Sequence, residues 1–474
     1  MVPVGKQRLI LEIVCIRVRE SSLHKYCLRD KICKTFTENM SIEISFGKEG
    51  DAMTGRVYYS LYDRLLHEKS LFEAFKKVKV SNGKGGIDRQ EIGGFELDLS
   101  GNIQTLVKEL RDKTYAPMPV KRVEIPKGNG KVRKLGIPTI RDRVVQQALL
   151  NILQPIYEED FHPSSYGYRP GKSSHQAISK ATMFIRKYEL EHVVDMDLSK
   201  CFDTLNHDLI IQFMRKRVTD GSILKLIDKF LKSGVMIGTE LGKTTIGSPQ
   251  GGVISPLLAN IYLNEFDHFM KGRNYRIVRY ADDILILCQS ERSAKHALEV
   301  ATTYLEKTLK LTVNQEKTHI THCSKGVKFL GVNIYCDFTI IQDKNLITFK
   351  EKVKALTKKS QGMNLEMVIR RLNPLLRGFA HYFRIANCKS VFQKLMRWIR
   401  RRLRAVQLKL WKKPDKLQRR LRQLGYTGHF PKIKMTSWHN SNSIQPSLAM
   451  PNKWFNELNL FNMELVVTGL IVPV

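Results

Sequence analysis

The sequence predicts an α+β protein, with a sheet-containing domain followed by a basic helical one. Two observations carry that prediction. Between Lys121 and Tyr335, β-prone apolar runs interleave with helical patterns, as in a mixed sheet covered by helices. After residue 350 the strand signals vanish and long basic helical stretches take over. The chain has 474 residues, too many for one ordinary core, so two or three domains are expected.

The elements follow in order. Residues 1–52 mix cysteines, charges and turn residues without periodicity and read as an atypical extension; Met53 is an alternative start. From Tyr58 a helical pattern runs through "YYSLYDRLLHEKSLFEAFKKV", and the turn "NGKGGID" closes it. Lys121–Ile125 alternates like a strand, "KGNG" reads as a hairpin turn, and Lys131–Ile137 reads as the return strand. "RDRVVQQALLNILQPIYEEDF" predicts an amphipathic helix, and "HPSSYGYRPGKSSHQAI" a loop entering another helix. "HVVDMDLSKCFDTLNH" starts as a strand and ends as a turn, with helices through Lys232. "TTIGSPQGGVISPLLANIYLNEF" reads as a loop then a helix, "RIVRYADDILILC" as strand, tight turn and strand, "SAKHALEVATTYLEKTLK" as a helix, and "VKFLGVNIY" as one strand.

Charge narrows the function classes. Lys plus Arg number 79 against 45 Asp plus Glu, a formal net charge of +34. Such an excess points to a polyanionic partner, nucleic acid or an anionic membrane surface. No window reaches the ~18 apolar residues of a membrane span, and no small-residue cleavage site follows the apolar stretch near the start, so neither a span nor a secretory signal is expected. The eight cysteines form no C-x-x-C pair, which argues against a zinc or redox motif and fits free thiols in a reducing cytosol.

The chemistry concentrates in "VVDMDLSKCFD" and "YADDILIL". Each joins an apolar strand to aspartates at its end. If the strands are neighbours, Asp197 and Asp282 converge with Asp283 beside them. Crowded carboxylates raise one another's pKa, and hard divalent cations with oxygen ligands relieve the repulsion. Two Mg²⁺ ions roughly 3.5–4 Å apart clamp the attacking and leaving oxygens of a phosphoryl transfer. An isolated Asp-Asp pair is ordinary turn chemistry; the second aspartate-bearing strand and the basic surroundings favour the metal reading.

"DMDLSKCFD", "SPQGG", "YADD" and "FLGV", in this chain order, resemble the reverse transcriptase palm. The match is closer to the reverse transcriptase–maturase proteins of bacterial group II introns, through "VEIPKGNGKVRKLGIPTIRDRVVQQAL", "SYGYRPGKSSHQAI", "GSPQGGVISPLLANIYLNEFD" and "RGFAHYF". The resemblance runs from about residue 57 into the C-terminal region. It implies right-hand polymerase-like fingers and palm with a mixed or antiparallel palm sheet, followed by an α-helical thumb or maturase domain. The implied division is 53–115 for the helical part of the fingers, 116–345 for fingers and palm, 346–428 for the thumb, and 429–474 for a C-terminal region without an HNH endonuclease.

The resemblance assigns roles. Asp197, Asp282 and Asp283 are the catalytic, metal-holding carboxylates for two Mg²⁺ ions, with Mn²⁺ as a substitute. Asp195 shares a strand face with Asp197 and reads as a support residue or turn cap. Phe202, five positions after Asp197, matches the steric-gate aromatic that rejects a ribonucleotide 2′-hydroxyl; by burial statistics alone it is a core residue. Gln250 contacts the nucleotide and primer-template, where Gly251 and Gly252 allow close backbone approach. Lys127 and Arg133 hold the incoming triphosphate, against the alternative of solvated surface charges. Lys317 protonates the pyrophosphate, and Asn314 orders its loop. Arg169 sits near template and primer, followed by Lys172 and a structural His175.

In "SVFQKLMRWIRRRLRAVQLKLWKK", Phe392, Leu395, Ile399, Leu403, Val406 and Leu410 form one helical stripe. The basic residues spread over the remaining faces, with Arg397, Arg400, Arg401, Arg404, Lys409 and Lys412 as nucleic-acid contacts through phosphates. Trp438 and Trp454 stack on bases or pack in a core.

The expected function is RNA-directed DNA polymerisation of group II intron type, with intron RNA, template RNA, a DNA primer or target and dNTPs as partners. No stable membrane association is expected, and the location is bacterial cytoplasm in a ribonucleoprotein or at the nucleoid. Two alternatives stay open: a catalytically retired splicing maturase, and a domesticated reverse transcriptase in phage defence or CRISPR adaptation.

Overall fold

A computed structural model describes residues 56–128, 131–237, 240–242, 246–247, 251–360 and 362–467. The extension 1–52 and Gln250 lie outside the described residues, as do the side chain of Lys127 and the last seven residues.

The chain opens with helices Tyr62–Leu65, Glu68–Ser81, Ile92–Leu97 and Leu99–Arg111. The first long one ends where Asn82 takes φ 43°, the left-handed cap that the Asn-Gly pair predicts. Strands β1 (Val120–Gly128) and β2 (Lys131–Ile137) form the expected antiparallel hairpin. Helix Ile140–Glu158 follows, capped by the Thr139 side chain. It is less amphipathic than expected, because Asp142, Arg143 and Gln146 are buried beside its apolar face. Each has internal partners; Gln146 Oε1, for example, accepts from Val253 N at 2.8 Å. Helix Ser174–Lys187 begins with a capping box between Ser173 and Gln176.

Strand β3 (His192–Asp197) leads into the one-turn helix Cys201–Thr204 and helices His207–Met214 and Gly221–Lys232. Short strands β4 (Val235–Ile237) and β5 (Glu240–Gly242) extend the finger hairpin into a sheet ordered β2-β1-β4-β5. After helix Ser255–Gly272 come β6 (Arg276–Tyr280) and β7 (Asp283–Cys288), helix Glu291–Thr303, and β8 (His319–His322). These build the central antiparallel sheet, ordered β6-β7-β3-β8.

Strand alternation lets this sheet serve two cores. Val194, Met196, Ile284 and Ile286 point into a cluster shared with the N-terminal helices and helix Ser255–Gly272. Val193, Val278, Leu285 and Leu287 point the other way, into a cluster with helix Ser174–Lys187 and the C-terminal helices. Each buried aliphatic contributes about 1.5–3 kcal/mol, so a one-residue register slip would empty both cores.

"VKFLGVNIY" departs from the single strand expected. It folds into β9 (Val327–Phe329) and β10 (Val332–Ile334), followed by β11 (Thr339–Ile341). The break falls at Leu330 and Gly331, both at positive φ (44° and 83°), a two-residue hairpin turn that the apolar run concealed. A second correction concerns the thiols. Cys323 and Cys336 form a disulfide, while Cys201, Cys288 and Cys388 are free and buried. Spacing gave no sign of the pair; the β10–β11 turn brings Cys336 back to the end of β8.

Helices Asp343–Leu356, Leu365–Phe383, Lys389–Trp411 and Pro414–Gln423 complete the basic region. Short helices within 444–467 pack on it, with Met450, Phe455 and Met463 in the same core. Among the described residues, no helix is long and apolar enough to cross a membrane.

Candidate active site at the edge of the central sheet

The site forms where β3 and β7 end side by side. Their register places Asp197 opposite Asp283. Tyr280 pairs with Asp283, so Ala281 and Asp282 are the two turn residues of the β6–β7 hairpin. Ala281 takes φ 57°, a left-handed conformation unusual for alanine.

Asp197 is already gripped. Its Oδ2 accepts from Lys317 Nζ at 2.7 Å and from Asn314 Nδ2 at 3.1 Å. Asn314 N also donates to Asp197 O at 2.9 Å, and Asp197 N donates to Thr318 Oγ1 at 3.3 Å. The loop expected from "LTVNQEKTHI" is thus bound to β3 by Asn314. The ion pair raises the Lys317 pKa above the ordinary lysine value, through its hydrogen bond to Asp197.

Asp283 is exposed as a residue, yet its carboxyl is crowded. Withdrawal from water, and then the charges of Asp282, Asp195 and Asp197, push its pKa up to about 6. Asp195 is likewise pushed up to about 6, first by burial, with Asp197 adding to the effect against His319 and Lys328. The donors are all carboxylate oxygens on one sheet edge, which suits a hard divalent cation. They are not gathered into a single ligand shell. Among the described residues, the one set of three His, Cys, Asp or Glu ligand atoms mutually within 4.8 Å is Glu191 with the disulfide sulfurs. Lys317 occupies the Asp197 carboxylate, and Asp282 lines a small cavity with Phe202, Tyr168, Cys201 and Asn260.

Phe202 is buried at 8% exposure, in the one-turn helix after β3. Tyr168 meets it edge-on, ring centres 6.2 Å apart. Nothing in the local sequence around Tyr168 marks this contact. Burial raises its pKa, as does the charge of Asp282, while Arg133 lowers it. Arg133 itself is exposed on β2. Gly251 takes φ 118°, and a Cβ there would lie 2.4 Å from Gly136 O, so this position needs glycine to pass so close to the β2 backbone.

Arg169 turns inward. It is buried at 8% exposure, pairs with Glu158 at 2.6 Å, and donates to the carbonyls of His162 and Ser165, each at 2.8 Å. It clamps its loop to helix Ile140–Glu158 rather than facing an open surface. His175 is bonded to the Tyr382 carbonyl at 2.6 Å, the structural role expected.

The basic helix divides its charges. Arg400 is buried and faces Glu464 at 3.5 Å. Arg401 stacks over Trp438 at 4.3 Å, and Arg404 donates to the Met450 carbonyl at 3.0 Å beside Phe455. These three seat the C-terminal segment. Arg397, Lys409 and Lys412 are exposed. Trp438 and Trp454 are half-buried in the same packing.

Residues 125–334 match the family model described as reverse transcriptase (RNA-dependent DNA polymerase), and residues 346–425 match the group II intron maturase-specific domain. Protein YkfC of Escherichia coli is 36% identical over 283 residues, covering 52% of this chain and 74% of YkfC. The chain belongs to the group II intron reverse transcriptase–maturase family. The group II intron-encoded protein LtrA of Lactococcus lactis is 30% identical over 362 residues, covering 62% of this chain and 60% of LtrA, so the match spans under two thirds of that relative. A solved partial Cas6-RT-Cas1–Cas2 complex aligns at 24% identity and TM-score 0.35, covering 59% of this chain and 47% of that one. A reverse transcriptase domain implies divalent-metal chemistry in general, and a maturase-specific domain implies RNA binding.

Proposed function

We propose that the chain is an RNA-directed DNA polymerase of group II intron type, which also binds intron RNA and assists its splicing and mobility. A primer 3′-hydroxyl attacks the α-phosphorus of a dNTP; the new P–O bond forms as the bond to the β-phosphate breaks, and pyrophosphate leaves. The observation that carries this reading is the β3–β7 register, which sets Asp197 against Asp283 with Asp282 in the adjoining turn. Divalent cations held by Asp197, Asp282 and Asp283, two Mg²⁺ ions in this reading, would lower the hydroxyl pKa and offset charge on the departing phosphates.

The chain's own residues supply the rest. Lys317, paired with Asp197, is the cation that holds this carboxylate before loading, and in this reading it gives a proton to the leaving pyrophosphate. Phe202 closes the cavity beside Asp282, where a ribose 2′-hydroxyl would meet the ring. Arg133 and Lys127 on the finger hairpin bind triphosphate, and Gln250 the nucleotide. The helical region from 346 onward serves as thumb, gripping template RNA, DNA primer and intron RNA through Arg397, Lys409 and Lys412. The setting is the bacterial cytoplasm.

Primer extension on an RNA template with dNTPs and Mg²⁺ tests the polymerase. Wild type extends and Asp282→Ala does not; equal extension by both removes the assigned site. Splicing of a cognate intron at low Mg²⁺ tests the maturase role. Dependence on the protein that survives Asp282→Ala supports it, and no dependence removes it. The maturase-specific match at residues 346–425 favours keeping this second role.

A further inference from the structure

We infer that Arg279, held by Asp267 and Asn260, is a positioning residue that sets the Ala281–Asp282 turn for catalysis. The inference rests on the polymerase reading of that turn. Arg279 lies on β6, in the apolar strand of "RIVRYADD", and is fully buried at 0% exposure. Its Nε reaches both Asp267 oxygens at 2.9 Å, and Nη2 reaches Oδ2 at 2.6 Å. Nη1 donates to Asn260 Oδ1 at 3.0 Å and to the Ala281 carbonyl at 3.1 Å.

A wholly buried ion pair is a poor stabiliser, because well-packed apolar residues of similar volume often do as well or better. Stability alone therefore gives no reason for this pair. What the guanidinium reaches, and an aliphatic side chain would not, is the carbonyl of the turn. Ala281 holds φ 57° without being glycine, and such strain persists only where the surroundings over-determine it.

The surroundings do so from two sides. Arg279 grips the Ala281 carbonyl, and Gly167 presses on its amide so closely that a Cβ at Gly167 would lie 2.3 Å from Ala281 N. Asn260 joins the two grips, since its Nδ2 donates to the Gly167 carbonyl at 2.8 Å. Backbone bonds from Arg279 N to Ser164 O and from Tyr166 N to Arg279 O, both 2.9 Å, fasten the same loop to β6. Tyr168, next along that loop, meets Phe202. One buried network therefore fixes the turn bearing Asp282 and the ring that backs Phe202. A displacement of about 1 Å in reacting groups costs on the order of a hundredfold in rate.

The test uses the full chain. The double variant Asp267→Leu with Arg279→Met replaces the ion pair by apolar groups and removes the donor to Ala281. Its metal-free thermal midpoint is expected to stay within a few degrees of wild type or above it. Its kcat for primer extension falls about tenfold or more, while the dNTP KM moves less than about threefold. Mn²⁺ binding, followed by electron paramagnetic resonance of the free ion, weakens several-fold. A folded double variant with wild-type kcat and wild-type Mn²⁺ affinity overturns the inference.

Should the double variant not fold, Arg279→Lys serves in its place. It keeps a charge opposite Asp267 but lacks the fork that reaches Asn260 and Ala281 together, so the same loss of kcat is expected and its absence overturns the inference. If Asp282→Ala extends primers as well as wild type, the polymerase reading fails. The network is then judged by Mn²⁺ affinity, and unchanged affinity in the variant overturns it.

Discussion

At the edge of the central sheet, charges of one sign lie near one another, with Lys317 paired to one of them; along helix Lys389–Trp411, charges of one sign are parted between the interior and water. Asp197, Asp282 and Asp283 share one small region, with Lys317 as the cation paired to Asp197. Burial first, and then the charge of the neighbouring carboxylates, raises the pKa values of Asp195 and Asp283, both to about 6. On the helix and at its C-terminal cap, Arg400, Arg401 and Arg404 bind the C-terminal segment, while Arg397, Lys409 and the cap residue Lys412 stay in solvent. Unrelieved like charge marks a place that waits for a ligand. Relieved charge marks packing, however basic the stretch looks in one dimension.

Five variants would sharpen or break this contrast. The largest effect belongs to Asp282→Ala, with a loss of roughly 1000-fold or more in primer extension, read from single-turnover rates. Retained activity would mean that the gathered carboxylates are structural. Next, Lys317→Ala removes the cation now on Asp197; a rate loss of about a hundredfold is expected, and a smaller solvent isotope effect on the chemical step than in wild type would support the proton-transfer role. Third, Phe202→Ala should raise ribonucleotide incorporation relative to deoxyribonucleotide by about tenfold, scored by competition between rNTP and dNTP. No change would return Phe202 to the core-residue reading.

The smallest effects separate the two halves of the helix. Arg404→Ala loses its bond to the Met450 carbonyl and its contact with Phe455, and is expected to destabilise by about 1–2 kcal/mol, seen as a lowered thermal midpoint. Replacing Arg397, Lys409 and Lys412 together by alanine should leave that midpoint nearly unchanged. It should flatten the dependence of RNA affinity on log salt by about 2–3 in slope. An unchanged salt slope in that triple variant would end the distinction between inward and outward charge.

Legibility followed the range of the interactions. The finger hairpin, the strands on either side of "YADD" and the long helices were readable because alternation, turn residues and helical stripes are local. The β9–β10 hairpin was not, because an apolar run with one glycine does not show that Leu330 also takes positive φ. The loop around Arg169 suggests a nucleic-acid contact, and the side chain turns inward instead. Its burial depends on Glu158 and two carbonyls, contacts that no short stretch displays. Arg279, Asn260 and Asp267 carry one local signal, an arginine inside an apolar strand beside "YADD". Tyr168 had no signal beyond its place in the loop.

The sequence by itself determined the family, the order of fingers, palm and basic helices, and the two strand ends that carry the aspartates. These rest on motifs whose chemistry needs particular residues at particular spacings. Tertiary structure alone decided which charges remain available. It turned Arg169, Arg400 and Arg404 inward, paired Lys317 with Asp197, joined Cys323 to Cys336, and enclosed Arg279 behind the Ala281–Asp282 turn. The reason is that desolvation and partner choice are set by contacts between segments far apart in the chain, and a charge carries no mark in the sequence of the neighbour that will neutralise it.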